Sequence, residues 1–252
     1  MLSQKPLKLE KVLILILGII AGCLNVSLFG TLILRHYQQK LDENSIGYLV
    51  VGTLGLHGTI IAGVTVFLWW QKITWSETFG FIRRTAGRSI VFGTLGAVAF
   101  LPVGFLLQLI SLRLLSLLHF KSPDQAAVVT LQGAQSWGAK AYLITFTALV
   151  APVAEELIFR GIIYPTIKQM GYPRVALWAT ALLFAAIHGN VPIFLPLLVL
   201  ALALAFLYEV TDNLLAPITA HAVFNGINVT MLYFGDDLSQ LWVRLYQNLL
   251  HH

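Results

Sequence analysis

Apolar segments recur along the whole chain and predict a set of membrane-spanning helices. They lie near residues 12–34, 46–70, 90–112, 140–166, 174–190, 192–208 and 213–234. Most of them are long enough to cross a hydrocarbon layer of about 30 Å. Backbone groups in lipid must pair within their own segment, and the alternation typical of barrel strands is absent, so these segments are expected to be helices. The predicted fold is an all-α polytopic bundle of about seven spans, with a range of about six to eight.

Three local patterns refine this division. Gly189-Asn190-Val191-Pro192 separates the two short segments at 174–190 and 192–208 and predicts a helix break between them. After the last span, apolar residues at helical spacing predict that residues 235–252 form an amphipathic tail, either along the membrane surface or against the bundle. Small residues predict close helix contacts at five positions: Gly52, Gly55, Gly58, Gly93 and Gly96.

Composition supports a membrane protein and excludes a nucleic-acid-binding one. The chain is 58% hydrophobic and 11% charged, whereas soluble domains carry about 25% charged residues. Its net charge of +5 comes from basic residues that flank apolar spans rather than from one polar face. At 252 residues, the chain is expected to form one membrane-embedded domain, 1–252.

Basic residues also predict the orientation of the chain in the membrane. They are concentrated before the first span and after the second, at Lys5, Lys8, Lys11, Lys72, Arg83, Arg84 and Arg88. This bias predicts a cytoplasmic amino terminus. Because no transit segment is recognisable, the expected location is the plasma membrane of a prokaryote.

Three charged residues stand inside one of the apolar segments, in the stretch APVAEELIFRGIIY. An ionised group in mid-bilayer costs roughly 2.5–3.5 kcal/mol, so Glu155, Glu156 and Arg160 must face protein or water. Glu156 and Arg160 are four residues apart and can pair on one helix face. Glu155 is rotated by about 100° and is therefore free to face a cavity. On its own, the Glu156–Arg160 pair is equally well interpreted as a clamp between helices.

Two later segments carry polar residues that can meet this group. Phe184 and His188 are four residues apart on one of them, and His221 and Asn225 are four apart on the last. If the three helices pack together, Glu155, His188, His221 and Asn225 converge on one polar pocket. The core region that carries these motifs is 139–234. Phe184 is interpreted as a core residue. His57 has no such companion and is interpreted as an interhelical hydrogen-bonding residue.

Such a pocket suits the hydrolysis of an amide. A carboxylate beside two imidazoles can deprotonate a water, and imidazole and amide donors can hold the resulting oxyanion. Alternatively, Glu155, His188 and His221 could bind a divalent metal such as Zn²⁺ and lower the pKa of its bound water.

The three motifs, E-E-x-x-x-R, F-x-x-x-H and H-x-x-x-N, resemble the CPBP family of CAAX proteases and bacteriocin-processing enzymes, also called the Abi family, which includes the Rce1-type endopeptidases. The resemblance extends from Ala151 to Thr230. It implies an intramembrane endopeptidase in which Glu155 activates the water, while His188, His221 and Asn225 surround that water or an oxyanion. Glu156, Arg160 and Phe184 would have supporting roles. No cofactor is the first expectation, and zinc is the alternative.

The expected partners are the lipid bilayer and a membrane-associated peptide or protein substrate, with no nucleic acid. Two other functions remain open from the residues. One is a non-catalytic membrane adaptor or immunity protein with the same fold. The other is a small transporter or proton relay, because intramembrane acidic and imidazole groups also mark ion paths.

Overall fold

The structure is a computed structural model that describes residues 2–37, 46–120, 133–134 and 136–250. Within these ranges the chain is helical and contains no β-strand, which confirms the predicted all-α class. The side chains of 235–250, and residues 251–252, lie outside the described part of the chain. The amphipathic character predicted for 235–252 is therefore still a prediction.

The described helices are numbered in chain order. They are α1 (Leu9–Tyr37), α2 (Ile46–Thr53), α3 (Thr59–Gln71), α4 (Trp75–Phe79), α5 (Arg83–Leu117), α6 (Trp137–Thr145), α7 (Ala151–Glu156), α8 (Tyr164–Gln169), α9 (Pro173–Ile187), α10 (Val191–Thr211) and α11 (Leu215–Leu250). Three π-helical segments connect some of them without a break: Leu54–Gly58, Phe146–Val150 and Leu157–Ile163.

Five helical stretches are long and apolar enough to cross a membrane: Leu9–His36, Val50–Gln71, Trp75–Leu117, Trp137–Gln169 and Val191–Thr211. Each corresponds to a predicted span. The predicted span at 174–190 is the shorter apolar helix α9, which ends at Ile187, and α10 begins at Val191. Gly189 between them has φ +61°, so the predicted helix break is confirmed. The protein is an integral membrane protein built as a helical bundle.

Helix α5 is the centre of the bundle's second half, because it packs along both α11 and α10. The charged stretch Trp137–Gln169 contacts α3 on one side and α9 and α11 on the other. A continuous apolar core joins the amino-terminal helices to this stretch through residues such as Val64, Phe67, Leu157 and Ile162. This arrangement allows residues of the first half of the chain to reach the polar site.

The predicted close contacts through small residues hold at three of the five glycines. A methyl group added at Gly55 would clash with Ser27, one at Gly96 with Leu207, and one at Gly93 with the carbonyl oxygen of Ala216. The prediction is wrong for the other two. Among the described residues, Gly58 meets only Leu54 of its own helical stretch, and Gly52 meets nothing within 4 Å.

Gly93 provides a test of this packing. We expect Gly93→Ala to destabilise the protein by about 1–3 kcal/mol, because the added carbon meets backbone of α11 that cannot move aside cheaply. Gly87→Ala on the same helix is the matched control. It adds its methyl group to open space, and alanine favours the helix over glycine by about 1 kcal/mol. Thermal unfolding of both variants in detergent measures the difference, and equal midpoints would contradict the packing.

The amino-terminal segment crosses the ends of α8 and α10 and is fixed there by polar contacts. Lys5 is buried, and its Nζ donates to Oδ1 of Asp212 at 2.6 Å. The backbone N–H of Lys5 donates to Gln169, and that of Leu2 donates to Glu209. Burial raises the pKa of Asp212, but the hydrogen bonds from Lys5 and Ser3 outweigh it and hold the pKa below its usual value. The stabilisation is therefore present at neutral pH and is lost as the pH falls through that lowered pKa.

Candidate active site

The two adjacent glutamates lie on α7, between two π-helical segments. Phe146–Val150 comes immediately before α7, and Leu157–Ile163 comes immediately after it. Each π segment is followed by a proline near the start of the next helix, Pro152 or Pro165. A proline has no N–H to donate, and its ring crowds the preceding helical turn. The wider π turn provides more room for that ring. Single π turns inside helices are frequently found at functional sites.

Glu156 and Arg160 form the predicted ion pair inside the protein. The guanidinium Nη1 donates to Oε1 of Glu156 at 2.7 Å, and Nη2 donates to the carbonyl oxygen of Ala201 at 3.1 Å. Both side chains are buried, at 0% and 1% exposure. The negative charge of Glu156 is therefore neutralised by a partner on its own helical stretch.

His221 bridges the two glutamates from α11. Its Nδ1–H donates to Oε1 of Glu156 at 3.0 Å, and its Nε2 lies 3.7 Å from Oε2 of Glu155. The ring is buried. Because the carboxylate of Glu156 can only accept a hydrogen bond, it fixes the orientation of the imidazole and directs Nε2 towards Glu155.

Glu155 differs from its neighbour in its surroundings. Its side chain keeps 16% exposure, and its Oε1 lies 3.5 Å from Nε2 of His57. The Oε2 atoms of both glutamates make no hydrogen bond to any residue in the described part of the chain, so the two carboxylates differ in their charged partners and in exposure. No lysine or arginine of that part forms a salt bridge with Glu155, so imidazoles are its charged or chargeable neighbours. A buried carboxylate in such a position is a candidate for proton transfer.

The sequence reasoning misses His57. It interprets this residue as an interhelical hydrogen-bonding residue without a companion in the site. The ring does make a contact between helices, but its partner is Glu155, so the premise that it has no companion is wrong. The only available signal is that His57 is the sole histidine, acidic or basic residue in the apolar segment 46–70. No motif connects it to the later residues.

His188 and Phe184 come together at the end of α9. The Nδ1–H of His188 donates to the carbonyl oxygen of Phe184 at 2.7 Å, and Nε2 has no hydrogen bond to any described residue. Among the described residues, His188 forms no ion pair or hydrogen bond with Glu155, and its ring reaches the site through its contact with Phe184. The ring of Phe184 is fully buried. Its centroid lies 4.9 Å from that of the His188 ring and 5.7 Å from that of the His221 ring. The Arg160 guanidinium lies over its face, 4.5 Å from the centroid. The Phe184 ring separates the two imidazoles and adds a cation–π contact to the buried arginine.

Asn225 lies one helical turn after His221, beside the same glutamate-bearing stretch. Its described hydrogen bond, however, goes from Nδ2 to the carbonyl oxygen of Thr147 at 3.1 Å, rather than to Glu155 or to either histidine. That bond joins α11 to the π segment in front of α7. A side-chain amide has two N–H groups, so the second is left for another acceptor.

The donor set does not fit a metal ion in this arrangement. Among the residues described, no group of three or more His, Cys, Asp or Glu side chains is spaced to hold one. Both nitrogens of His221 face glutamates, and one nitrogen of His188 is committed to a backbone carbonyl.

The fold and the site define an integral membrane protein with a carboxylate–imidazole site inside a helical bundle. Residues 137–227 match the family model described as "Type II CAAX prenyl endopeptidase Rce1-like". The match covers all three sequence motifs and confirms the resemblance to this family. Over these residues, the chain is similar to the membrane proteases of that family.

Two curated proteins of Bacillus subtilis (strain 168) are similar to the chain. "Uncharacterized protein YpbD" is 30% identical over 95 residues, which are 36% of this chain and 46% of that protein. "Putative membrane peptidase YdiL" is 29% identical over 89 residues, 35% of this chain and 36% of that protein. The chain thus spans less than half the length of either relative. No solved structure matches it.

Proposed function

We propose that this protein is an intramembrane endopeptidase that hydrolyses a peptide bond of a membrane-associated peptide or protein. The observation that carries the proposal is the division between two adjacent carboxylates. Glu156 is fully buried and neutralised by Arg160, whereas Glu155 keeps 16% exposure and has imidazoles, but no lysine or arginine, as ion-pair partners among the described residues. The Rce1-like match and the similarity to "Putative membrane peptidase YdiL" support the same reaction class.

In the proposed reaction, Oε2 of Glu155 takes a proton from a water molecule while the oxygen of that water attacks the peptide carbonyl carbon. A C–O bond forms, and the carbonyl oxygen becomes an oxyanion. When this intermediate collapses, the C–N bond breaks and the proton passes to the leaving amine nitrogen, with His221 Nε2 sharing it on the way. His188 Nε2 orients the attacking water, and the second N–H of Asn225 stabilises the oxyanion.

The proposed reaction uses no bound metal, and we do not propose a prenyl group on the substrate. The proposal does include the location predicted from the sequence, the plasma membrane of a prokaryote with a cytoplasmic amino terminus. A reporter fused at each terminus tests that orientation. We do not propose a transporter or proton relay, because Glu155, Glu156, Arg160 and His221 contact one another instead of following a path across the bundle.

The central experiment is cleavage in reconstituted liposomes. Purified wild-type protein is incubated with membrane-anchored peptides, both prenylated and unmodified, and the product termini are identified by mass spectrometry. We expect new termini that are absent from protein-free liposomes and from liposomes with Glu155→Gln. A sample treated with a chelator and checked for metal content should retain cleavage. If wild-type protein cleaves no peptide, or Glu155→Gln cleaves as wild type does, the adaptor function becomes the better account.

The histidines are expected to matter nearly as much as the glutamate. His188→Ala and His221→Ala should each lower kcat/KM by at least about 10²-fold, because each removes a group that moves a proton or holds the reacting atoms. His36→Ala, at an exposed position near the end of α1, is the control and should retain wild-type activity. A loss below about threefold in both site variants would remove the imidazoles from the mechanism.

A further inference from the structure

Among the described residues, His57 makes the one polar contact between the amino-terminal half of the chain and Glu155. Its Nε2 lies 3.5 Å from Oε1 of Glu155, although the two residues are 98 positions apart in the sequence. The residue also lies outside the region 137–227 that matches the family. The family match therefore says nothing about the role of His57, and the contacts of this chain are the evidence for it.

The backbone around His57 holds the ring in a defined place. The residue belongs to the π-helical segment Leu54–Gly58, which inserts an extra residue between α2 and α3 and changes the direction of its side chains. Gly55 in that segment lies against Ser27 of α1 so closely that a methyl group there would be 2.6 Å from the hydroxyl oxygen. The imidazole packs edge-on against Phe146, with ring centroids 4.9 Å apart. The backbone segment that carries His57 is thus packed against α1, and the ring itself is packed against Phe146.

Packing alone does not account for a histidine at this position. The side chain is 13% exposed, and its Nδ1 is buried without a hydrogen-bond partner in the described residues. Burying an unpaired polar nitrogen is unfavourable, so an apolar ring would fill the same space at lower cost. The contact of the other nitrogen, Nε2, with the Glu155 carboxylate is the feature that an apolar ring cannot replace.

The two oxygens of Glu155 have different surroundings as a result. Oε1 faces His57, while Oε2 has no hydrogen bond and points towards His221. The 3.5 Å contact between Nε2 and Oε1 is an ion-pair contact, and it favours the carboxylate orientation in which Oε1 faces His57. That orientation leaves Oε2 for the reacting water, as preorganised catalysis requires.

We propose that His57 is a positioning residue whose Nε2–H holds Oε1 of Glu155, so that Oε2 serves as the proton acceptor. The inference rests on the proposed function and deepens it. It assigns part of the site to the first half of the chain. Loss of the contact should affect the rate of the chemical step more than substrate binding, because His57 acts through Glu155.

Two substitutions separate the hydrogen bond from the packing. His57→Phe retains an aromatic ring against Phe146 but removes the donor, and His57→Gln retains an N–H donor at a similar reach. In the liposome assay, we expect His57→Phe to lower kcat about 10- to 100-fold with KM unchanged within about twofold. His57→Gln should recover most of the lost rate. Thr65→Val, at an exposed position on α3, is the control for changes to that helix.

The outcomes separate this inference from the proposed function. A wild-type kcat in His57→Phe, an equal loss in both folded variants, or an effect on KM alone would each overturn the positioning role. If His57→Phe fails to fold, His57→Gln is judged alone, and a loss above about tenfold with unchanged Tm overturns the role. If wild-type protein does not cleave, ¹⁵N NMR of labelled histidine still tests the contact. The His57 Nε2 resonance should shift in Glu155→Gln, and its failure to shift would overturn the inference by itself.

Discussion

Glu155→Gln is expected to lower kcat/KM by at least about 10³-fold while thermal unfolding remains close to that of wild type. The amide has nearly the same shape as the carboxylate but cannot accept a proton from water, so the general-base contribution is lost. Stability should change little because Glu155 has no lysine or arginine partner among the described residues and keeps 16% exposure. The measurement is a progress curve in liposomes together with a melting curve of the same preparation.

The control for this prediction is Glu10→Gln, which makes the same chemical change at an exposed glutamate in the first turn of α1. It should leave both curves unchanged. Glu155→Gln protein that melts early would show that Glu155 supports the structure, and its low activity would then carry no chemical meaning. Residual cleavage above about one tenth of the wild-type rate would remove Glu155 from the role of general base.

Sequence reasoning succeeds here where the relevant interaction is local. The pairing of Glu156 with Arg160 follows from a spacing of four residues within one helical stretch, and the structure contains it. The break after α9 follows from Gly189 and Pro192, whose backbone preferences act at their own positions. Hydropathy identifies the spans because the bilayer requires every backbone group to pair locally.

Sequence reasoning fails where an interaction depends on how two helices pack against each other. The contact between His57 and Glu155 requires a π segment in each partner's helical stretch and a particular packing of α3 against α7, and neither is encoded by spacing. Lys5 shows the same limit. Its position predicts a topogenic charge, yet it is buried and bound to Asp212, 207 residues away in sequence. Asn225 is on the expected helix, but its amide partner was not predictable from the motif.

The two π segments around α7 explain why adjacent glutamates can have separate roles. In a regular helix, neighbouring side chains diverge by about 100°, which turns Glu155 and Glu156 to different faces but does not bring either to a second helix. The altered winding on both sides of α7 lets α11 approach closely enough for His221 to contact both carboxylates. One imidazole thus connects a structural ion pair to the candidate base.

Glu156→Gln is expected to show the opposite phenotype to Glu155→Gln and to destabilise the protein by about 3–5 kcal/mol. The change leaves Arg160 buried at 1% exposure without a counter-charge, and removing one partner of a buried ion pair typically costs this much. His221 would also lose the carboxylate that orients it. Thermal or denaturant unfolding in detergent measures the effect, and a wild-type midpoint would show that Arg160 finds another acceptor.

The double variant Glu156→Leu/Arg160→Met separates the stabilising role of the pair from its positioning role. Apolar residues of similar volume often replace a buried ion pair without loss of stability, so the double variant should unfold at a higher temperature than Glu156→Gln. Cleavage should nevertheless remain low, because Nδ1 of His221 no longer has Glu156 to hold it and Nε2 is no longer directed at Glu155. A stable double variant with wild-type kcat would show that the pair only clamps two helices. A stable but inactive one would show that the buried charges orient the imidazole.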